Sequence, residues 1–311
     1  MDKQQQYRLL LDLLNHGQFT SGADLAKQMG CSRTVVHRRL QDLQEHGLLI
    51  HAIAGRGYRL VHTDVTFNCP LPDLPHQLQH HHHTMTTSTN RDAFRLLQLQ
   101  ADPVMVSTDF QTVGRGRRGQ QWESPFGANL LFSVGFWLSQ QEVFHPYSLH
   151  VGVLLAQTLK QQLGLPFQLK WPNDLWLEQK KCAGILVELQ SFQGRTALVV
   201  GVGINVNAAP LGVDQAVTSL ANHVGHRLNR EHLLMPIVKA LWQWRERDFI
   251  WPWQDGWDDY DALKGKDVWL LQGAKRTAGR VLGISPMGAL LVDTASGRIE
   301  VTGGELSVRI T

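Results

Sequence analysis

The chain has 311 residues, 43% of them hydrophobic and 18% charged, with a formal net charge of +3. That length is about two domains at about 150 residues each, and the apolar content supports packed cores, which excludes a disordered polyelectrolyte. The charge is too mild to make the whole surface a nucleic-acid ligand, so any such surface must come from local clustering.

Three cysteines, Cys31, Cys69 and Cys182, are odd in number and widely spaced. They fit neither a disulfide framework nor a paired zinc pattern and are expected to be reduced thiols. The first leucines are interrupted by Arg8, Asp12 and Asn15, unlike a signal peptide, and no later run has the roughly 20 apolar residues a bilayer span needs. A soluble, cytoplasmic chain with no membrane partner is expected.

Residues 7–15 carry leucines at helical spacing, and Gly17 is placed to end that helix. Ser21 stands three residues before Asp24 and opens a short second helix closed by Gly30; Ser32 caps a third that runs to Gly47. The third helix shows Arg33, Thr34, His37 and Arg38 on its polar face. Residues 48–52 and 58–61 read as a hairpin whose tip holds Arg56. Two helices on a tight turn, followed by a basic hairpin, form a winged helix-turn-helix able to enter a major groove. Its expected DNA contacts are Ser21, Ser32, Arg33, Thr34, His37, Arg38, Arg39 and Arg56, with Arg38 and Arg39 on phosphates. The plainer alternative is the solvated face of a small helical domain. The domain is bounded at 1–62.

Residues 63–84 are rich in Pro, Thr and His and are expected to be a linker with a short docking segment. The run His80 to His83 cannot point four rings at one ion, and no carboxylate or cysteine is spaced to complete a site, so no metal centre is expected there.

From Val104 the pattern becomes strand-like. An apolar run at 104–107 leads into Gly114 to Trp122, read as GRGRRGQQW, and a second run covers 129–137. Guanidinium forks among glycines suit a mobile loop that closes on phosphates. Gly114, Gly116 and Gly119 also satisfy a dinucleotide fingerprint, but that motif needs a helix next, and an extended segment follows instead. Residues 149–163 form a helix leading to Lys170-Trp-Pro-Asn-Asp174, where Asn173 and Asp174 share a tight turn. Taken alone, that turn reads as a plain Asx turn between strands. Strands are expected after Lys181 and across 199–207, the second ending in Asn205 and Asn207. The tryptophans 242, 244, 251, 253 and 257 read as packing residues. Residues 264–311 alternate in short strands, a small β-barrel by pattern.

Together, GRGRRG with Trp122, Ser124-Pro125, the Gly-Ala-Asn-Leu from 127, KWPND, the Lys-Cys-Ala-Gly-Ile-Leu-Val-Glu ending at Glu188, and Gly-Ile-Asn-Val after Gly201 resemble the biotin protein ligases. With the winged helix in front, the chain resembles the bifunctional members that also repress the biotin operon, and the likeness runs through nearly the whole length. It implies an α/β multi-domain fold: an N-terminal winged helix-turn-helix, a central α+β ligase domain of the class II aminoacyl-tRNA synthetase/biotin ligase type at 85–263, and an SH3-like C-terminal β-barrel at 264–311.

By this resemblance Ser88, Thr89, Asn90, Gln111, Arg115, Gly116, Arg117 and Lys181 bind biotin. Arg117, Arg118, Trp122, Asn173, Asp174 and Asn205 bind ATP or the adenylate. Lys181, Arg117, Arg115 and Lys170 carry the catalytic charge. The substrates would be biotin and ATP with Mg²⁺, with Asp174 as a candidate metal contact. The acceptor would be a lysine of the biotin carboxyl carrier protein of acetyl-CoA carboxylase. Biotinyl-5'-AMP would act as corepressor, favouring a homodimer on operator DNA. Gly303 to Glu305 would help close the nucleotide site or receive the carrier, or simply cap the fold. Departures are Gln120 and Gln121, where relatives carry further basic residues, and Cys182 in place of leucine; residues 211–229 match least. A lipoate-protein ligase, and a repressor whose ligase domain has lost activity, remain as alternatives.

Overall fold

The computed structural model describes residues 1–311 except 64, 67–70, 72, 101, 139–145, 250–252, 273–274, 303–306 and 311.

The first domain is three helices and a hairpin: α1 (Lys3–Leu14), α2 (Gly22–Gln28), α3 (Arg33–Glu45), β1 (Ile50–Ile53) and β2 (Gly57–Leu60). α1 starts four residues before the leucine pattern does, because Asp2 and Gln5 close a capping box there. The Ser21 hydroxyl accepts from the Asp24 amide and that of Ser32 from the Val35 amide, so both serines are spent as N-caps. Tyr7, Leu10, Leu11 and Leu14 pack with Leu25, Val36, Leu40 and Leu43 to form the core. Gly57 has φ of +100°, and a Cβ there would lie 2.1 Å from the Thr20 carbonyl oxygen, so only glycine lets the wing close on the helices.

The central sheet has seven strands in the order β3-β4-β5-β9-β8-β7-β6. These are β3 (Gln79–His83), β4 (Val104–Thr108), β5 (Leu130–Leu138), β6 (Gln168–Lys170), β7 (Asp174–Leu177), β8 (Lys180–Phe192) and β9 (Arg195–Ile204). Only β3 and β4 pair in parallel. α4 (Thr89–Leu99) covers one face through Ala93, Phe94 and Leu97 against Val104, Val106, Ala197 and Val199. The alternate residues Met105, Leu198 and Val200 face the larger core under α5 (Tyr147–Leu163), α7 (Arg230–Arg245) and α8 (Trp253–Trp257). Burial on both faces explains why these strands read as unbroken apolar runs. The short α6 (Leu220–Val224) precedes α7. Trp242, Trp244, Trp253 and Trp257 are buried core residues; Trp251 lies outside the described residues.

The linker reading of 63–84 is corrected at its end, since Gln79–His83 is the edge strand β3. Histidines do not announce a strand, yet alternation turns His80 and His82 onto the Ser107 hydroxyl at 2.8 and 2.9 Å, and His82 reaches Asp109 at 3.0 Å. Polar partners on β4 and at its end therefore supply what apolar packing supplies elsewhere. Among the described residues there is no cluster of three or more metal-ligating side chains.

The winged helix seats on this domain. Gln4 of α1 bonds both the amide and the carbonyl of Met85, and Met85, Phe110 and Phe126 join the core of the first domain.

The C-terminal strands β10 (Asp267–Gln272), β11 (Lys275–Ile284), β12 (Leu290–Thr294), β13 (Gly297–Val301) and β14 (Ser307–Ile310) form one antiparallel sheet in the order β13-β12-β11-β10-β14. The Trp171 indole donates to the Gly288 carbonyl across the junction with the central domain. Gly303 to Glu305 fall outside the described residues. Cys31 and Cys182 are free thiols and Cys69 is outside the described set. Among the described residues no helix is long and apolar enough to cross a membrane.

Candidate active site

A cleft of about 840 Å³ opens over the central sheet, walled by the start of α4, the 111–123 loop, the β6–β7 turn, residues 212–216 and the end of β14. Its lining includes every residue assigned above to biotin, ATP or catalysis except Asn205.

At one end α4 begins with Ser88, Thr89 and Asn90, all about 4% exposed. The Ser88 hydroxyl makes no capping bond. Gln111 Oε1 accepts from the Thr89 amide at 2.8 Å, and the Ser133 hydroxyl donates to Asn90 Oδ1 at 2.6 Å and lies 2.7 Å from the Thr89 hydroxyl. Asn90 Nδ2 donates to the Leu186 carbonyl and to Glu188 at 2.8 Å. Both ends of the Asn90 amide are thus occupied by protein, and it acts as the brace that joins α4 to the sheet. Ser133 and Glu188 were not singled out by sequence, because a serine inside an apolar strand and a glutamate at a strand's end carry no motif of their own.

The arginine loop is a tight reversal. Gly116 donates to the Gln120 carbonyl, Trp122 to that of Gly114, and Arg118 has φ of +60° beside Gly119 at +71°. No helix follows, which disposes of the dinucleotide fingerprint. Arg115 stays half exposed, 3.7 Å from Glu188. The Trp122 indole lies over Gly184 and Gly203, paired across β8 and β9, where a Cβ would come within 2.8 and 2.5 Å of the ring. Its Nε1 is buried with no hydrogen-bond partner among the described residues.

At the other end Lys181 Nζ sits 2.8 Å from Asp174 and 5.3 Å from the centre of the Trp122 ring. Lys170 Nζ lies 4.7 Å from the Trp176 ring, and burial pushes its ammonium below the usual lysine range, with Asp174 opposing. Burial likewise lowers the Arg117 guanidinium, reinforced by Arg118. Asn173 Nδ2 is spent on the Ile185 carbonyl at 2.9 Å, a cross-strand bond that ties the β6–β7 turn to β8. Six cations, Arg115, Arg117, Arg118, Lys170, Lys181 and Arg309, face three carboxylates, Glu123, Asp174 and Asp214. An anionic ligand relieves that imbalance. Arg309 and residues 212–216 were missed by sequence, being outside any motif.

Asn205 is not in the cleft. It lies just past the end of β9, 1% exposed, and donates to the Thr218 carbonyl.

On the winged helix, Arg33, Thr34, His37, Arg38 and Arg56 are exposed together. Arg39 is turned in, donating to Gln6 at 2.8 Å and to Asp42 at 3.3 Å, so it ties α3 to α1.

Comparison with known proteins agrees with this arrangement. Residues 81–207 match the biotin/lipoate A/B protein ligase family, residues 6–59 an HTH domain, and residues 265–309 the biotin protein ligase C terminal domain. The bifunctional ligase/repressor BirA of Escherichia coli (strain K12) is 31% identical over 320 residues, spanning 96% of each chain. The chain belongs to the bifunctional biotin ligase/repressor family. A second family member, BirA of Bacillus subtilis (strain 168), is 28% identical over 90% of this chain and 91% of its own. The biotin protein ligase from Aquifex aeolicus, solved in complex with biotin and ATP, superposes with a TM-score of 0.63 at 30% identity, covering 75% of this chain and 99% of that one. The full-length relatives and the C-terminal match separate this family from lipoate ligases, which the central match alone leaves open.

Proposed function

We propose that the chain condenses biotin with ATP to biotinyl-5'-AMP, passes biotin to a lysine of the carboxyl carrier protein of acetyl-CoA carboxylase, and represses the biotin operon when adenylate-bound. The observation that carries this reading is a single cationic cleft joining Ser88, Gln111, the arginine loop and Lys181, in a chain matched over 96% of its length by a ligase/repressor.

In the first step a biotin carboxylate oxygen attacks the α-phosphorus, the bond to pyrophosphate breaks, and a mixed anhydride remains. In the second the acceptor amine attacks the anhydride carbonyl, AMP leaves, and the amine proton is lost to solvent. No protein nucleophile is required. The cleft's task is to hold two mutually repelling anions in line and to meet the charge growing on the α-phosphate. Arg115 and Arg117 are suited to the carboxylate and phosphate; Lys181, fixed by Asp174 and Trp122, and Lys170, held over Trp176, supply charge at the phosphate end. Partial burial of the Lys170 ammonium strengthens that attraction.

Mg²⁺ would be held mainly by the ATP phosphates and would neutralise part of their charge, with Asp174 the candidate protein contact; Mg²⁺ commonly binds through substrate phosphates and only one or two carboxylates. The sparse carboxylates fit that role, Asp174 being already paired with Lys181.

For DNA, Arg33, Thr34, His37 and Arg38 are aimed at the groove, with Arg56 on the wing. Ser21 and Ser32 act as caps and Arg39 as an internal tie. Dimerisation is supported by β8: its pairing with β7 stops at Gly184, so among the described residues Leu186 to Phe192 has β9 on one side and no strand on the other. The chain is read as cytoplasmic and not membrane-bound. The test mixes the protein with ATP, labelled biotin and an apo carrier domain. Transfer of label supports the ligase half, and absence of transfer leaves only the repressor. Footprinting of the operator with and without biotin tests the other half.

A further inference from the structure

The two ends of the cleft are tied by buried polar side chains that do not line it. Arg230 opens α7 at 5% exposure, with Asn229 as its cap. One guanidinium nitrogen donates to Asp109 Oδ1 at 3.2 Å and another to the Asn129 carbonyl at 3.1 Å. Asp109 is fully buried, receives His82 on its other oxygen, and stands two residues before Gln111. On the other arm, Asn129 Oδ1 accepts from the Val206 and Ala208 amides, and its Nδ2 reaches Asn205 Oδ1 at 3.4 Å. Asn205 donates to the Thr218 carbonyl through its side chain and to the Cys182 carbonyl through its amide. The Thr218 amide donates to the Lys181 carbonyl, and the Lys181 amide to that of Ala216, each at 2.9 Å.

We propose that Arg230, with Asp109 as counter-ion, is a positioning residue of the ligase reaction. It fixes the strand that delivers Gln111, and so the biotin end, relative to the strand that delivers Lys181, the phosphate end. A buried ion pair is a poor choice for stability alone, since well-packed apolar residues commonly do as well. It is a good choice for geometry, because the forked guanidinium sets two acceptors at once. Reacting groups tolerate little error: a misplacement of about 1 Å can cost on the order of 100-fold in rate. The inference rests on the ligase reading and extends it to residues no motif marks.

The test compares Arg230→Met with Ile237→Ala, a variant of the same helix that removes buried side chain from the main core and leaves the network intact. Thermal midpoints, the Kd for biotin alone, and KM and kcat for adenylate formation are measured well below both midpoints. Arg230→Met is expected to weaken biotin and to raise KM for ATP by about tenfold each, while Ile237→Ala lowers the midpoint and leaves both constants within twofold. Arg230→Lys keeps the charge but cannot span both acceptors, and is expected to fall between; it carries the test should Arg230→Met not fold. Unchanged constants in a folded Arg230 variant, or equal changes in Ile237→Ala, overturn the proposal. A wild-type protein that makes no biotinyl adenylate overturns the ligase reading instead.

Discussion

The seat of the Trp122 indole offers the sharpest structural prediction. A Cβ at Gly203 would lie 2.5 Å from Cε2, 2.7 Å from Cζ2 and 2.8 Å from Nε1 of that ring. Because carbon contacts are comfortable near 3.5 Å or beyond, Gly203→Ala must lift the indole by about 1 Å or bend β9. Overpacking of this kind costs about 1–3 kcal/mol. Lifting the ring also moves the surface on which Lys181 rests, 5.3 Å from its centre. Stability is read by urea denaturation of the ligand-free protein, in wild type, Gly203→Ala, Trp122→Ala and the double variant. The three atoms nearest the new methyl all belong to the ring, so with the ring gone the cost of Gly203→Ala should shrink to a few tenths, giving a coupling of about 1–3 kcal/mol. The same cycle on KM for ATP should be coupled in the same sense. Additive effects to within about 0.5 kcal/mol would refute the placement of the indole on the sheet.

Other expectations follow from the site and its surroundings. Arg117→Gly and Lys181→Ala should speed release of preformed labelled adenylate by about tenfold or more while shifting unfolding midpoints little, as each removes a charge that grips the ligand; unchanged release would remove both from the site. Burial, with the charge of His82 next, holds the His80 imidazole at about 4. The unfolded chain therefore binds a proton there below pH 6.5 that the folded protein refuses, and stability is full above 6.5 and lost as pH falls toward 4. The loss is on the order of 3 kcal/mol, and His80→Asn should flatten it in urea titrations between pH 4 and 7. Arg38→Ala should weaken operator binding at all sequences and lower its salt slope by about 1. Arg39→Ala should instead lower the stability of the winged helix by about 1 kcal/mol, because Arg39 bonds Gln6 and Asp42.

Where local chemistry writes itself into periodicity or punctuation, the sequence was readable. Ser32 before an amphipathic stretch, glycines after helices, and apolar runs of strand length located the winged helix, β4, β5, β8 and β9. The KWPND and GRGRRG motifs, read through a family resemblance, marked residues that the fold does bring to one cleft. What escaped reading depends on distant partners. The histidine run became a strand because Ser107 and Asp109 lie beside it. Asn205 was assigned to ATP from its motif, yet a buried carbonyl at Thr218 claims its side chain. Arg39 and Arg38 are adjacent and alike in composition; only helical phase, which turns one toward α1, separates an internal tie from a DNA contact. Arg230 and Glu188 take their meaning from segments about 100 residues away, to which no local pattern points.

Biotin-dependent exchange of labelled pyrophosphate into ATP tests the central claim most directly, since it reports the cleft's first chemical step without acceptor or DNA. Exchange that requires biotin, is not supported by lipoate, and falls at least tenfold in Lys181→Ala is the predicted result. No exchange with biotin, or exchange equally supported by lipoate, would contradict the account.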